Sequence, residues 1–131
     1  MTQIDRHQWY EGGCHCGKIR FQVQFGDSPV IKCNCSICRK KGFLHLIVPP
    51  ERFRLLQGEE SLSTYKFNTH TAIHKFYKFC STCGIHPFYT PRSHPQDIDV
   101  NLNTLDEDFS SSIEIQEFDG KNWEANVDRI R

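Results

Sequence analysis

Short runs in which apolar and polar residues alternate dominate the chain, and this is the period of a strand with one buried face. Lys18 to Phe25 is the cleanest run, with Ile19, Phe21, Val23 and Phe25 on one side and Arg20, Gln22 and Gln24 on the other. Asp97 to Asn103 repeats the pattern with Ile98, Val100 and Leu102. Weaker strands are expected over Phe43 to Val48, Arg52 to Leu56, Leu62 to Phe67, Ile73 to Phe79 and Ile113 to Phe118. Turn-forming residues separate them: Gly26-Asp27-Ser28-Pro29, Pro49-Pro50, Gln57-Gly58, Asn68-Thr69 and Thr90-Pro91. Nowhere do apolar residues hold a helical period for three turns, so helix is expected only in short pieces, around Thr104 to Phe109 or near Trp123. The pattern predicts a mainly β protein. No internal repeat, low-complexity tract or long linker divides it.

At 131 residues the chain has the size of one domain, and one domain spanning residues 1–131, with its core over about 10–125, is expected. Lysine plus arginine number 16 and aspartate plus glutamate 16, so no surplus of positive charge favours a nucleic-acid backbone. Met1 to Gly13 carries Asp5, Arg6, His7 and Glu11 and lacks a signal-peptide core; no later run reaches the roughly 18 apolar residues of a membrane span. A soluble, cytoplasmic protein is expected. In that reducing setting the seven cysteines point to metal ligation rather than disulfides, and their odd number would leave one unpaired in any case.

The cysteines form three clusters: Cys14-His15-Cys16, Cys33-Asn34-Cys35-Ser36-Ile37-Cys38 and Cys80-Ser81-Thr82-Cys83-Gly84. On an extended backbone residues i and i+2 face the same way, so Cys14 and Cys16 can present two sulfurs to one ion, with His15 pointing away. The Cys80–Cys83 spacing instead curls around an ion, and Gly84 gives the turn its freedom. Zinc favours four tetrahedral ligands, and the natural set is Cys14 and Cys16 with Cys80 and Cys83, both pairs being flanked by glycine. Cys33, Cys35 and Cys38 then form a trio with no fourth cysteine. Three protein ligands and an open position are the mark of catalytic zinc, where a bound thiol is held deprotonated. Two other readings stay open: a histidine such as His45 or His86 completes the trio as a structural site, or a single zinc binds and the remaining cysteines fill the core.

Three motifs, Gly12-Gly13-Cys14-His15-Cys16-Gly17, Cys33-Asn34-Cys35-Ser36-Ile37-Cys38-Arg39-Lys40-Lys41 and Phe79-Cys80-Ser81-Thr82-Cys83-Gly84, together resemble the glutathione-dependent formaldehyde-activating enzyme family, with a closer likeness to its centromere protein V branch. The likeness continues through Lys18 to Phe25, Leu46 to Leu56, Thr64 to His70, Phe88 to Ser93, Glu117 to Gly120 and Trp123-Glu124. It implies a mostly antiparallel, zinc-stabilised β fold of the Mss4-like type. It also implies a structural zinc at Cys14, Cys16, Cys80 and Cys83 and a second, more labile zinc at Cys33, Cys35 and Cys38 that receives the thiol of glutathione. The implied activity is carbon–sulfur lyase chemistry, the making or breaking of S-hydroxymethylglutathione. Arg39, Lys40 and Lys41 follow the trio and are candidates to meet the carboxylates of glutathione; the plainer reading is a solvated basic turn. The competing function is a non-catalytic zinc-stabilised module that engages a protein partner, as likeness to the centromere protein V branch suggests.

Overall fold

The computed structural model describes residues 4–34, 36–67, 75–90, 96–109 and 111–118, with the backbone alone described at 36–38, 65–67 and 75–77. Among these residues ten strands and one short helix are arranged in two sheets. The smaller sheet is antiparallel and joins β1 (Tyr10–Gly13), β2 (Arg20–Val23) and β5 (Phe53–Gln57) in the order β1-β2-β5. The larger is built from β3 (Val30–Cys33), β4 (Leu44–Val48), β6 (Leu62–Phe67), β7 (Lys75–Cys80), β8 (Phe88–Thr90), β9 (Ile98–Asn101) and β10 (Ile115–Phe118). Its order is β10-β3-β4-β9-β8-β7-β6, antiparallel throughout except for the parallel pair β10 and β3. The helix, α1, spans Ser36–Lys41 and follows β3 directly. The mainly β expectation holds. No helix among the described residues is long and apolar enough to cross a membrane.

The core lies between the two sheets, where the alternation of the sequence turns into burial. Ile19, Phe21, Val23 and Phe25 are all fully buried, as the pattern of Lys18 to Phe25 predicts. They meet Val30, Leu46, Val48 and Val100 from the large sheet in one continuous cluster. Aromatic rings bridge the layers: Phe88 stands edge-on to both Phe21 and Phe53, at 6.2 Å and 4.9 Å between ring centroids. Such edge-to-face pairs add to the area they bury. A second group, Tyr10, Phe25 and Phe109, closes the end of the core with centroid separations of 4.9 to 5.6 Å.

Several elements differ from the sequence expectation, each for a local reason. β1 carries two glycines and no alternation, yet pairs along its whole length with β2. Glycine is required there: a Cβ on Gly12 would lie 2.5 Å from the Thr104 carbonyl oxygen and 2.8 Å from the Phe21 ring. The helix expected over Thr104 to Phe109 is absent, and a single 3-10 turn at Leu102–Thr104 stands instead. Leu105 bridges Gly12 and the Asp106 N–H donates to the Glu11 carbonyl, so this segment is drawn out along β1 rather than coiled. The expected helix near Trp123 lies outside the described residues. β9 departs from simple alternation, because Asp99 and Asn101 are buried as well as Val100. It is an inner strand, and both of its faces are covered.

Candidate metal centre and thiol cavity

Two tight turns bring the first and third cysteine clusters together. In the first, Cys14 follows β1, the Gly17 N–H donates to the Cys14 carbonyl at 3.3 Å, and the Cys14 N–H donates to the Ile19 carbonyl at 3.2 Å. In the second, Gly84 and Cys80 are bonded in the same sense at 2.8 Å, and the Cys80 N–H donates to the Ile85 carbonyl at 2.9 Å. Each turn places a glycine with left-handed φ, +84° at Gly17 and +80° at Gly84, directly after its second cysteine. The Cys14–Cys16 pair therefore sits in a turn and not on the extended strand its spacing suggested; His15 is exposed. The turns are cross-braced by the Lys18 ammonium, which donates to the Thr82 hydroxyl at 2.9 Å.

The four sulfurs of Cys14, Cys16, Cys80 and Cys83 all lie within 4.8 Å of one another. Cys16 Sγ is 3.5 Å from Cys14 Sγ and 3.6 Å from Cys80 Sγ. A zinc tetrahedron with arms of about 2.3 Å has edges of about 3.8 Å, so the donor set fits such an ion in kind, number and spacing. Backbone N–H groups point at the sulfurs, among them Ile19 at 3.3 Å from Cys14 Sγ. Burial pushes the Cys83 thiol up, but the N–H groups of Ile85 and Cys16 and the thiols of Cys80 and Cys16 outweigh it and bring it down to about 6. Burial likewise opposes ionisation of Cys80, yet the N–H groups of Cys83 and Thr82 lower it. At Cys16 the Lys18 N–H pulls the thiol down, but burial and the thiols of Cys14, Cys80 and Cys83 overcome it and push it up to about 11. At Cys80 and Cys83 the hydrogen bonds thus stabilise the thiolate, the form a metal needs, while Cys16 keeps its proton among its neighbours.

Of the middle cluster, Cys33 lies on β3, across the inner strands of the large sheet from Cys80 on β7. Cys33 ends β3 and is buried; Cys35 and the side chain of Cys38 lie outside the described residues, although the Cys38 backbone is part of α1. Beside Cys33 a cavity of about 770 Å³ opens where β3 and β10 end and β4 begins, with Lys32, Asn34, Arg39, Phe43, Glu117 and Phe118 among its lining residues. The basic trio divides. Arg39 lines the cavity, Lys40 is exposed without lining it, and Lys41 places its ammonium 2.8 Å from His86 Nδ1. An ammonium has only donors, so His86 Nδ1 accepts and the ring proton resides on Nε2. Burial first, and then the charge of Lys41, pushes His86 down to about 4.

A family model of the glutathione-dependent formaldehyde-activating enzymes matches residues 9–119, which takes in both turns, β3, α1 and the cavity. The chain belongs to this enzyme family. Among solved structures, the crystal structure of a Rhodobacter sphaeroides protein is similar at 31% sequence identity. The match covers 82% of this chain and 99% of that one, with a TM-score of 0.70.

In this member of the formaldehyde-activating family one feature near the thiol cavity escaped the sequence. His45, on β4, and Asp99, on β9, form a buried pair with Nδ1 2.5 Å from Oδ2; their residues are 5% and 1% exposed. The other Asp99 oxygen has no hydrogen-bond partner among the described residues. Ile31 is opposite His45 in the β3–β4 register, so Cys33, two residues on, shares the His45 face of the sheet as its diagonal neighbour. Phe43 packs 4.6 Å from the His45 ring and 5.5 Å from Tyr89, between that pair and the cavity. Nearby, the Asn101 side chain accepts from the N–H groups of Leu44 and Asn103 and donates to the His86 carbonyl, tying β4 to the loop after the third cysteine cluster. Asp99 was invisible beforehand because an aspartate between two aliphatic residues on an alternating strand reads as solvent-facing.

Proposed function

We propose that the protein is a zinc-dependent carbon–sulfur lyase acting on a glutathione adduct, making or cleaving S-hydroxymethylglutathione. The observation that carries the reading is the separation of Cys33 from the cluster of four thiols. Four thiols close on one another in the paired turns, while Cys33 stands apart at the edge of a large cavity. Cys14, Cys16, Cys80 and Cys83 would hold a structural zinc. Cys33, Cys35 and Cys38 would hold a second, which, when bound, supplies the positive charge that lowers the pKa of a thiol entering its vacant position.

The remaining work belongs to the chain. Phe43 and Phe118, both buried, form a dry wall against which the reacting sulfur and carbon meet. Arg39 takes a glutathione carboxylate and fixes the tripeptide's direction, and Lys40 and Lys41 are left out of this contact because neither lines the cavity. In the forward direction the thiol loses its proton, the sulfur bonds to the aldehyde carbon, and the carbonyl oxygen takes up a proton to become the hydroxyl. The reverse breaks the same carbon–sulfur bond. The reading treats the chain as one domain, and thiol chemistry of this kind suits the reducing cytoplasm.

A direct test measures glutathione-dependent formaldehyde turnover in metal-replete protein. Cys33→Ser should lower the rate at least about a hundredfold with its thermal melt unchanged, while Cys83→Ser should unfold the chain. Equal unfolding by both substitutions would refute the division of labour. One observation favours a second arrangement of the same site. His45 is the diagonal neighbour of Cys33, and Asp99 holds its Nδ1 in the way carboxylates orient metal-bound imidazoles. A fourth ligand from His45 would make the second centre structural, and His45→Ala would then lower its metal content.

A further inference from the structure

The parallel register of β10 on β3 sets Glu117 directly opposite Lys32, and both residues line the cavity beside Cys33. Opposite charges facing one another on paired strands attract and can close into an ion pair. Here they do not: the ion pairs among the described residues are Arg20 with Glu11 and Asp106, His45 with Asp99, and Arg52 with Asp27. Arg39, the third charged residue on the cavity, also forms no ion pair among the described residues. The cavity beside Cys33 is thus lined by two cations and one anion.

We infer that Lys32 and Glu117 form a recognition site for an α-amino-acid head group, so that the cavity selects thiols bearing a free ammonium next to a carboxylate. The inference rests on the glutathione reading above and deepens it. In a free amino-acid head the ammonium and carboxylate share one carbon, which matches two opposite charges held side by side on neighbouring strands. The head's carboxylate meets Lys32 and its ammonium meets Glu117. Arg39, presented from α1, takes the carboxylate at the other end of the molecule, where its planar fork suits a bidentate contact. Glutathione carries one ammonium and two carboxylates, and each finds one partner of opposite sign that forms no ion pair among the described residues. A thiol acylated on its nitrogen, or one lacking the amine, leaves Glu117 facing a neutral group or a carboxylate.

Calorimetric titration of the full, metal-replete chain with glutathione and with N-acetylglutathione tests this, because the two differ only in the ammonium. The wild type should bind glutathione on the order of tenfold more tightly, the worth of a charge-assisted hydrogen bond at an exposed site. Glu117→Gln should abolish that preference by weakening glutathione alone, leaving N-acetylglutathione within about twofold of the wild type. Lys32→Gln should weaken both ligands together, since both keep the carboxylate. Thermal melts of the variants establish that each folds. Absence of any preference in the wild type, or equal weakening of both ligands by Glu117→Gln, would overturn the inference while leaving the glutathione reading intact. Failure of the wild type to bind either thiol would remove that reading and the inference with it.

Discussion

Asp99 and His45 show how much a single buried pair can hold in place. With residue exposures of 1% and 5%, neither can turn to solvent if its partner is removed. Asp99→Ala should therefore destabilise the fold by about 1–3 kcal/mol, as expected when a buried ring N–H loses its acceptor, and denaturant unfolding would measure it. His86 makes a different prediction. Its folded pKa, about 4, lies below the ordinary 6.5, so between these values the unfolded chain binds more protons than the folded one. Stability from this group is complete above pH 6.5 and is lost as pH falls toward 4. Stability curves of wild type and His86→Gln should accordingly diverge above pH 6.5 less than within that window, with the wild type losing more on acidification. The slope should stay below the about 1.4 kcal/mol per pH unit of a fully buried group, because the ring is partly exposed. At this scale the cysteine spacings were legible from sequence, since ligand geometry is local. The roles of Asp99 and Lys41 were not, because each depends on a residue far away in the chain.

Among the elements, the two cysteine turns are held by backbone conformation, whereas β1 is held by packing. The glycines tell them apart. A Cβ on Gly84 would meet nothing within 4 Å, so Gly84→Ala should cost only the left-handed φ, about 1–2 kcal/mol. Gly12→Ala drives a methyl into the Thr104 carbonyl oxygen and the Phe21 ring, and its loss in unfolding midpoint should be clearly the larger. Reversal of that order would show that β1 and the Thr104 turn are not packed as described. β6 matched its expected span, Leu62 to Phe67, because strand-favouring Leu62, Thr64, Tyr65 and Phe67 are bounded by the turn residues Gln57-Gly58 and Asn68-Thr69. β3 and β8 set two apolar residues side by side, Val30-Ile31 and Phe88-Tyr89, and so show no alternation, and β1 is half glycine.

For the whole molecule, the two sheets are joined at the cysteine turns, with Cys14 leaving β1 of the small sheet and Cys80 ending β7 of the large one. A metal bridging those turns would link the layers, so a strong chelator should lower the melting temperature markedly and readdition of zinc should restore it. Sheet order was hidden from the sequence. Alternation reveals that strands exist and which side is apolar, but the pairing of β10 with β3, which sets Glu117 opposite Lys32, arises from contacts between segments far apart in the chain. The mainly β class and the closed set of four thiols could be read in advance; the cavity could not.

The central claim is that one metal is enclosed by four thiols and the other keeps a position open toward the cavity. Cobalt-substituted protein, quantified for metal per chain and titrated with glutathione while its visible spectrum is followed, tests it most directly. The account predicts two ions per chain and a spectral change confined to one of them, which Cys33→Ser abolishes. A spectrum unmoved by glutathione, with His45 nitrogen bound at the second ion before and after the titration, would contradict it.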